Sequence, residues 1–398
     1  MLGNGNDTDS SEPLPVCVVD SIGAIGLRLF CRWHAISRII RTMAADSGSP
    51  ASSQSPDAPQ SVPNESIIRR WTRRLVTIPL VFSGTLLIVC ALPLLLVVTA
   101  LCDLVHRPPV FTRGLLFLVT CLCLESLAIC GVTLLWLINL LLRDAQWFER
   151  GNRRAQTLWT AGLYRAGERL FSMTTHIAGT IPPNRVDAPP LLVFVRHSST
   201  ADTVLPVLIL APLGYRVRYV LKRELLLDPC LDIVGQRLRN YFVARGGKET
   251  EQDLRGVEQL AMDLKPQDAL VIYPEGTRFT VGKRQRILKR LRESGPADAL
   301  ALAESLQHTL PPLQRGPLRL LEQNRGADLL IIGHSGLEPA GSLTEMLQGQ
   351  LIGQKVRVRL EHIPFASLPT DPLAQRQFLA DKWKAIDAFI AESRRPIE

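Results

Sequence analysis

The sequence predicts an α/β domain, a mixed central sheet flanked by helices, preceded by a two-helix transmembrane hairpin. Three observations carry this. Leu75 to Leu101 and Gly114 to Leu142 are apolar runs, each longer than the roughly 20 residues a helix needs to cross a bilayer. Beyond Ile181-Pro182-Pro183, short apolar runs alternate with helical stretches, the pattern of helices layered on a sheet. Polar clusters of chemically capable side chains follow several of the apolar runs directly, where strand-to-helix turns would fall.

Composition narrows the partners. The chain has 398 residues, 46% of them hydrophobic, and a net charge of +9. Such a charge suits nucleic acid, an anionic membrane surface or a phosphate-bearing substrate. No zinc-finger, RNA-binding or helix-turn-helix signature is present, which argues against nucleic acid. The 8 Cys form no C-x-x-C pair and no disulfide framework, so the soluble part is read as facing a reducing compartment.

Residues 1–66 form a low-complexity N-terminal region. Within it, Cys17 to Met43 is apolar and basic. It is either an amphipathic helix on a membrane surface or an over-extended start ahead of a true Met43 initiator. Asp46 to Asn64, rich in Ser, Pro, Ala and Gln, reads as a disordered linker. Nothing resembles a secretory signal. Residues 67–150 hold the hairpin. Its connection, Cys102 to Arg113, is short and contains Pro108-Pro109. Arg69, Arg70, Arg73 and Arg74 precede the first span, and Arg143, Arg150, Arg153 and Arg154 follow the second. The positive-inside rule then puts both ends and the C-terminal domain in the cytoplasm. Glu125 in mid-span is costly unless paired or turned to a helix interface.

Residues 151–185 read as an amphipathic linker helix over Gln156 to Thr175, resting on the membrane or on the sheet. Residues 186–398 form the α/β domain. Strands are expected at Leu191–Val195, Arg216–Val220, Tyr241–Ala244, Ala269–Tyr273, Leu329–Ile332 and Val356–His362. Helices are expected at Thr203–Ala211, Pro229–Arg239, Thr250–Leu264, Gly282–Arg292, Leu318–Asn324 and Ala374–Ser393.

The chemistry centres on Leu191 to Asp202. His197 and Asp202 follow the first strand directly. Five residues turn a regular helix by about 500°, so the pair would not share a helix face. They meet if His197 sits in the turn and Asp202 in the first helical turn, which Ser198, Ser199 and Thr200 are suited to cap. The carboxylate would then fix the imidazole tautomer and leave the other nitrogen as a general base. Tyr273-Pro274-Glu275-Gly276-Thr277-Arg278 follows another apolar run. Its Gly admits close backbone approach, and its Arg offers a fork that matches phosphate. Lys222 and Arg245 add cations at further strand ends, together an anion cradle. The basic run from Lys283 to Arg292 is a solvated helix face by default, the alternative being a contact with lipid headgroups or a nucleotide-bearing donor.

His197-x-x-x-x-Asp202, Lys222-Arg223-Glu224-Leu225, Arg245 and Pro274-Glu275-Gly276-Thr277-Arg278 resemble, in order and spacing, the motifs of the glycerolipid acyltransferase family. Leu310-Pro311-Pro312 and the stretch Trp383 to Phe389 resemble the branch with lysocardiolipin-type acyltransferases and their bacterial relatives. Ser294 to Thr309 is longer than that pattern, and Leu329 to Pro339 fits the fourth motif only loosely. The resemblance implies a membrane-bound enzyme that moves a fatty acyl group from an acyl-coenzyme A or acyl-carrier-protein thioester to lysophosphatidic acid or a related lysophospholipid. It implies His197 as base, Asp202 as its orienting partner, and Glu275, Gly276, Thr277 and Arg278 around the acceptor, with Arg245 and Lys222 as further anion contacts. No metal or other cofactor is expected.

Two other readings compete. Gly333-His334-Ser335-Gly336 resembles a nucleophile elbow, which would make Ser335 the nucleophile of a lipase or esterase, but Leu337 stands where that pattern needs Gly. A non-catalytic lipid-binding protein on the same fold would have no need of the His/Asp pair. The remaining His lack metal-ligand spacing.

Overall fold

The computed structural model describes residue 62 and residues 65–105, 109–243 and 251–395. The Cys17 to Met43 stretch, the Ser/Pro linker and Arg245 lie outside these residues.

Helices α1 (Ile67–Val105) and α2 (Val110–Leu142) are both long and apolar enough to cross a membrane. They pair antiparallel, with the Thr85 and Ser126 hydroxyls 3.0 Å apart between them. Pro109, at the start of α2, has no side chain to cap it. Asp103 does so from across the connection, accepting the N–H groups of Phe111 (2.9 Å) and Thr112 (2.8 Å). Helix α3 (Ala145–Phe171) follows, capped by Asp144, which accepts from the backbone of Gln146 and Trp147.

The rest of the chain runs β1 (Thr174–Gly179), β2 (Leu191–Val195), a 3-10 turn (Ala201–Val204), α4 (Leu205–Leu210), β3 (Arg216–Lys222), α5 (Pro229–Arg237), β4 (Tyr241–Val243), α6 (Glu251–Met262), β5 (Asp268–Ile272), α7 (Val281–Ser294), α8 (Ala297–Ser305), α9 (Gly316–Glu322), β6 (Asp328–Ser335), α10 (Leu343–Leu347), β7 (Lys355–Ile363) and α11 (Pro372–Ser393). The sheet order is β1-β7-β6-β2-β5-β3-β4. It is mixed: β6 and β7 are antiparallel, and every other neighbouring pair is parallel. β2 lies between β5 and β6, and all five of its residues are buried. Leu191, Val193 and Val195 face one core with α3 and α4, while Leu192 and Phe194 face another with α6, α9 and α11. That period of two, buried on both faces, gives the unbroken apolar run.

The sequence reading needs correcting at several elements. The amphipathic stretch expected to reach Thr175 ends at Phe171, where Ser172 takes a left-handed conformation (φ 53°). Thr174 to Gly179 then form the sheet's edge strand, inside the segment read as a linker helix. Helix α8 fills the long stretch after Ser294, and α10 is a further short helix. Strand β6 runs on through Ser335 instead of stopping at Ile332.

The hairpin packs against the domain along α2. Gly114 lies so close to the Leu347 carbonyl of α10 that no side chain fits. Ile129 and Val132 join Ile233 and Val234 of α5 in a separate apolar cluster. Glu125, buried, accepts the Cys230 N–H at the start of α5 (2.9 Å), and Arg237 donates to the Val132 carbonyl (2.9 Å). The mid-span carboxylate thus ties helix to domain, and the N-terminal end of α5 supplies its donor.

Candidate active site

Strands β2, β5 and β6 run parallel, so their C-terminal ends emerge on one edge of the sheet, where α/β folds place ligands. His197 leaves the end of β2, and Glu275 to Arg278 leave the end of β5. Asp202 lies in the 3-10 turn. The His197 Nδ1 stands 2.9 Å from Asp202 Oδ1. Asp202 Oδ2 also accepts the N–H groups of Ser198 (2.7 Å) and Ser199 (2.8 Å). The expected capping is met in part, since the Ser199 hydroxyl accepts the Ala201 N–H at the start of the turn (3.1 Å). The carboxylate gathers the loop's backbone, and Thr200 makes no side-chain cap; the Ser199 hydroxyl donates to the Ala340 carbonyl.

Asp202 is wholly buried, which alone would push its carboxyl up. The His197 imidazole, its hydrogen bond, and His334 from β6 pull it well below the ordinary carboxylate range instead. As an acceptor, Asp202 fixes the proton on Nδ1 and leaves Nε2 as the basic nitrogen. Nε2 takes no protein partner among the described residues, and the His197 side chain keeps 16% exposure. The Tyr273 ring lies 4.5 Å from the imidazole and walls one side. Burial drives its phenol well above the usual range, with Asp202 and Tyr219 adding to the shift, so it stays neutral.

Glu275 is turned inward. One oxygen accepts the His197 N–H (3.1 Å), and the other accepts the Leu310 N–H (3.0 Å). Burial pushes its carboxyl up to about 7, against the pull of Arg196 and of the two N–H groups. Its part is to join two loops. Gly276 is left-handed (φ 65°), and an added Cβ would stand 2.5 Å from Leu313. Arg278, half-buried, donates from Nη1 to the Thr200 hydroxyl (2.8 Å), while the Phe279 N–H bonds the His197 carbonyl (2.8 Å). These two bonds tie the turn that carries Arg278 to the loop that carries His197.

Lys222 ends β3 on the same edge. Lys283 of α7 donates to the Thr277 hydroxyl and the Arg278 carbonyl, both at 2.8 Å. Burial lowers its ammonium, and Arg278, Lys222 and Arg286 lower it further. Lys283 thus lies within electrostatic reach of three further cations, an arrangement that favours a bound anion. Sequence reasoning left Lys283 on a solvated helix face.

Arg196 and His334 were also missed. Arg196 is fully buried and donates to the His334 carbonyl (2.6 Å), Glu338 (2.5 Å) and the His308 carbonyl (2.9 Å). His334 Nε2 bonds the Arg196 carbonyl (3.0 Å) and lies 3.4 Å from Asp202. Ser335 is buried and paired with Arg357 inside the ladder of β6 and β7. A nucleophile elbow needs an exposed strand-to-helix turn, so the hydrolase reading loses its nucleophile. Among the described residues, no cluster of His, Cys, Asp and Glu would hold a metal ion.

Residues 176–307 match the family model described as Acyltransferase. The chain is similar to 1-acyl-sn-glycerol-3-phosphate acyltransferase epsilon of Mus musculus, at 21% identity over 272 residues, 65% of this chain and 72% of that one. Among solved structures, it is similar to the 1-acyl-sn-glycerophosphate (LPA) acyltransferase PlsC from Thermotoga maritima, with a TM-score of 0.46 and 15% identity, covering 72% of this chain and 100% of that one.

Proposed function

We propose that this chain, a PlsC-type member of the glycerophosphate and lysophospholipid acyltransferases through its segment 176–307, moves a fatty acyl group from an acyl thioester to the free hydroxyl of lysophosphatidic acid or a related lysophospholipid. One observation carries the reading. His197 is bonded through Nδ1 to a buried Asp202, and Arg278 bonds Thr200 in the same loop.

In this mechanism His197 Nε2 takes the proton of the acceptor hydroxyl as its oxygen attacks the thioester carbonyl. The new C–O bond forms, the C–S bond breaks, and the departing thiolate receives the proton from the imidazolium. Asp202 orients the ring and stabilises its cationic form. The thioester is already activated, so no acyl-enzyme is required. Arg278 holds the acceptor's phosphate, with Lys222 and Lys283 adding positive potential. Glu275, Gly276 and Thr277 shape the turn that presents Arg278. Arg245 is a further anion contact on the same reading. The donor is acyl-coenzyme A or acyl carrier protein, with no metal. The branch resembling lysocardiolipin-type enzymes points to a lysophospholipid as acceptor. The exposed apolar face of the hairpin anchors the domain to the membrane and holds the site at the interface, and the flanking arginines favour the cytoplasmic side.

The test is acyl transfer by purified protein in detergent, with radiolabelled long-chain acyl-coenzyme A, a panel of lysophospholipids, and a repeat with acyl carrier protein. Diacyl product that disappears in a folded His197→Ala variant is the expected result. Full activity in that variant would overturn the mechanism. Arg278→Ala should raise KM more than it lowers kcat, because the phosphate contact is equal in ground and transition states.

A further inference from the structure

The opposite edge of the sheet carries a second concentration of positive charge. A cleft of about 330 Å³ is lined by Arg150, Arg153, Arg216, Arg218, Arg239 and Lys265, with Gln146 and Glu149. Arg216 begins β3 and Asp268 begins β5, so this is the N-terminal end of the strands. A five-residue strand separates it from the His197 edge by about 17 Å.

The cations outnumber their partners. Asp268, wholly buried, accepts from Arg216 Nε (2.5 Å), Arg218 Nη2 (2.7 Å) and the Lys265 backbone (3.0 Å). Glu149 accepts from Arg153 (2.6 Å). Arg218 is only 6% exposed, and its Nη1 is buried with no hydrogen-bond partner. Arg239 holds a left-handed backbone (φ 56°), uncommon for a side-chain-bearing residue. Burial lowers the guanidinium of Arg218, with Arg239 and Arg216 reinforcing the shift over the opposing pull of Asp268. Such an arrangement gains most from a multiply accepting anion, and the planar forks of arginine match phosphate oxygens.

Position favours a lipid source. Gln146, Glu149, Arg150 and Arg153 lie in the first turns of α3, which starts just after the apolar helix α2 ends at Leu142. Leu141 and Leu142 at the end of α2 are exposed, so a bilayer that takes up their side chains brings its headgroups to this stretch. A neighbouring cleft of about 520 Å³ shares Glu149 and Arg239 and adds Leu140 and Phe148. It continues the polar site toward the exposed Leu137, Leu140 and Leu141 of α2.

We propose that this cleft is a binding site for the phosphodiester headgroup of an anionic phospholipid, separate from the site of acyl transfer, with the lipid's chains lying along the end of α2. The test uses the full chain in neutral detergent. Thermal unfolding is followed during titration with dioctanoyl-phosphatidylglycerol, dioctanoyl-phosphatidylcholine or inorganic phosphate, for wild type, Arg150→Gln/Arg239→Asn and Arg278→Ala. Asn tolerates the left-handed backbone at 239, and both replaced side chains are exposed, so the double variant should keep its unliganded melting temperature and its turnover.

Phosphatidylglycerol should raise the melting temperature of wild type and Arg278→Ala alike. Its half-saturation concentration should rise at least about tenfold in the double variant, for two lost charge-assisted contacts. An equal response to inorganic phosphate would overturn the lipid assignment in favour of a simple anion site. An equal response to phosphatidylcholine would overturn the requirement for net charge. A shift retained by the double variant but lost in Arg278→Ala would place the lipid at the acyl-transfer site and overturn the proposal.

Discussion

Glu275 connects the loop after β2 to the turn at Leu310 through one carboxyl group, and it does so from a buried position. Its folded pKa of about 7 exceeds the ordinary value near 4.3. Between the two, the native state keeps a proton that the unfolded chain has released. Stability therefore falls as pH rises through this window, by roughly 4 kcal/mol at full effect. Melting in detergent at pH 5 and pH 8 should show wild type losing ground to Glu275→Gln on going up; a constant gap would refute the assignment. Gly276→Ala should cost about 1–3 kcal/mol, from the left-handed backbone and the Leu313 clash, and should weaken acceptor binding because Arg278 moves with the turn. A KM unchanged in a destabilised variant would separate the turn from Arg278. The adjacency of His197 and Asp202 was legible at this scale, because few residues separate them and the apolar run fixes where the turn begins. Arg196 and His334 were not. An arginine after a strand is normally solvated; its burial depends on Glu338 and on two carbonyls from distant chain.

Elements behave differently. The strands buried on both faces were legible because their apolar runs are continuous and bounded by polar turns, as at Leu191–Val195 and Asp268–Ile272. β1 was not, because Thr174 to Gly179 is largely exposed and carries no apolar run; pairing with β7 makes it a strand. Helix α8 begins directly after the turn at Gly295-Pro296, but its nine residues bury only Ala303, so no apolar stripe marked it as a helix. Helix α11 shows how an element reaches the site from afar. Its Asp387 accepts the N–H groups of Gln307 (3.0 Å), His308 (2.7 Å) and Thr309 (2.9 Å), just before the Leu310 that Glu275 holds. Asp387→Ala should cost about 2–3 kcal/mol, since several buried donors lose one acceptor, and turnover should fall with His197 itself unchanged. Wild-type turnover in that variant would show that the turn holds without its cap. Glu125→Leu should lower stability by about 1–3 kcal/mol by stranding the Cys230 N–H. An unchanged melting temperature would mean that another acceptor takes its place.

For the molecule as a whole, charge joins its two parts. Arg73 and Arg74, at the start of the first apolar helix, reach the buried Asp232 of α5 at 2.7 and 2.8 Å. Asp232→Ala should cost about 3 kcal/mol or more, because two arginines lose a buried partner, and limited proteolysis should then cut between hairpin and domain sooner than in wild type. An unaltered cleavage pattern would assign the docking to the apolar cluster around Ile129 and Ile233 instead. The linkage from Asp387 through Leu310 and Glu275 to His197 has a consequence in time. A ribosome makes the hairpin first, and by the time it has added Asp202 the His/Asp pair exists as sequence alone. The turn that steadies it waits for Leu310, its brace waits for Glu338, and the cap waits for Asp387. A nascent chain therefore completes its two apolar helices long before the His197 loop is braced, and the bracing is finished only with the last helix.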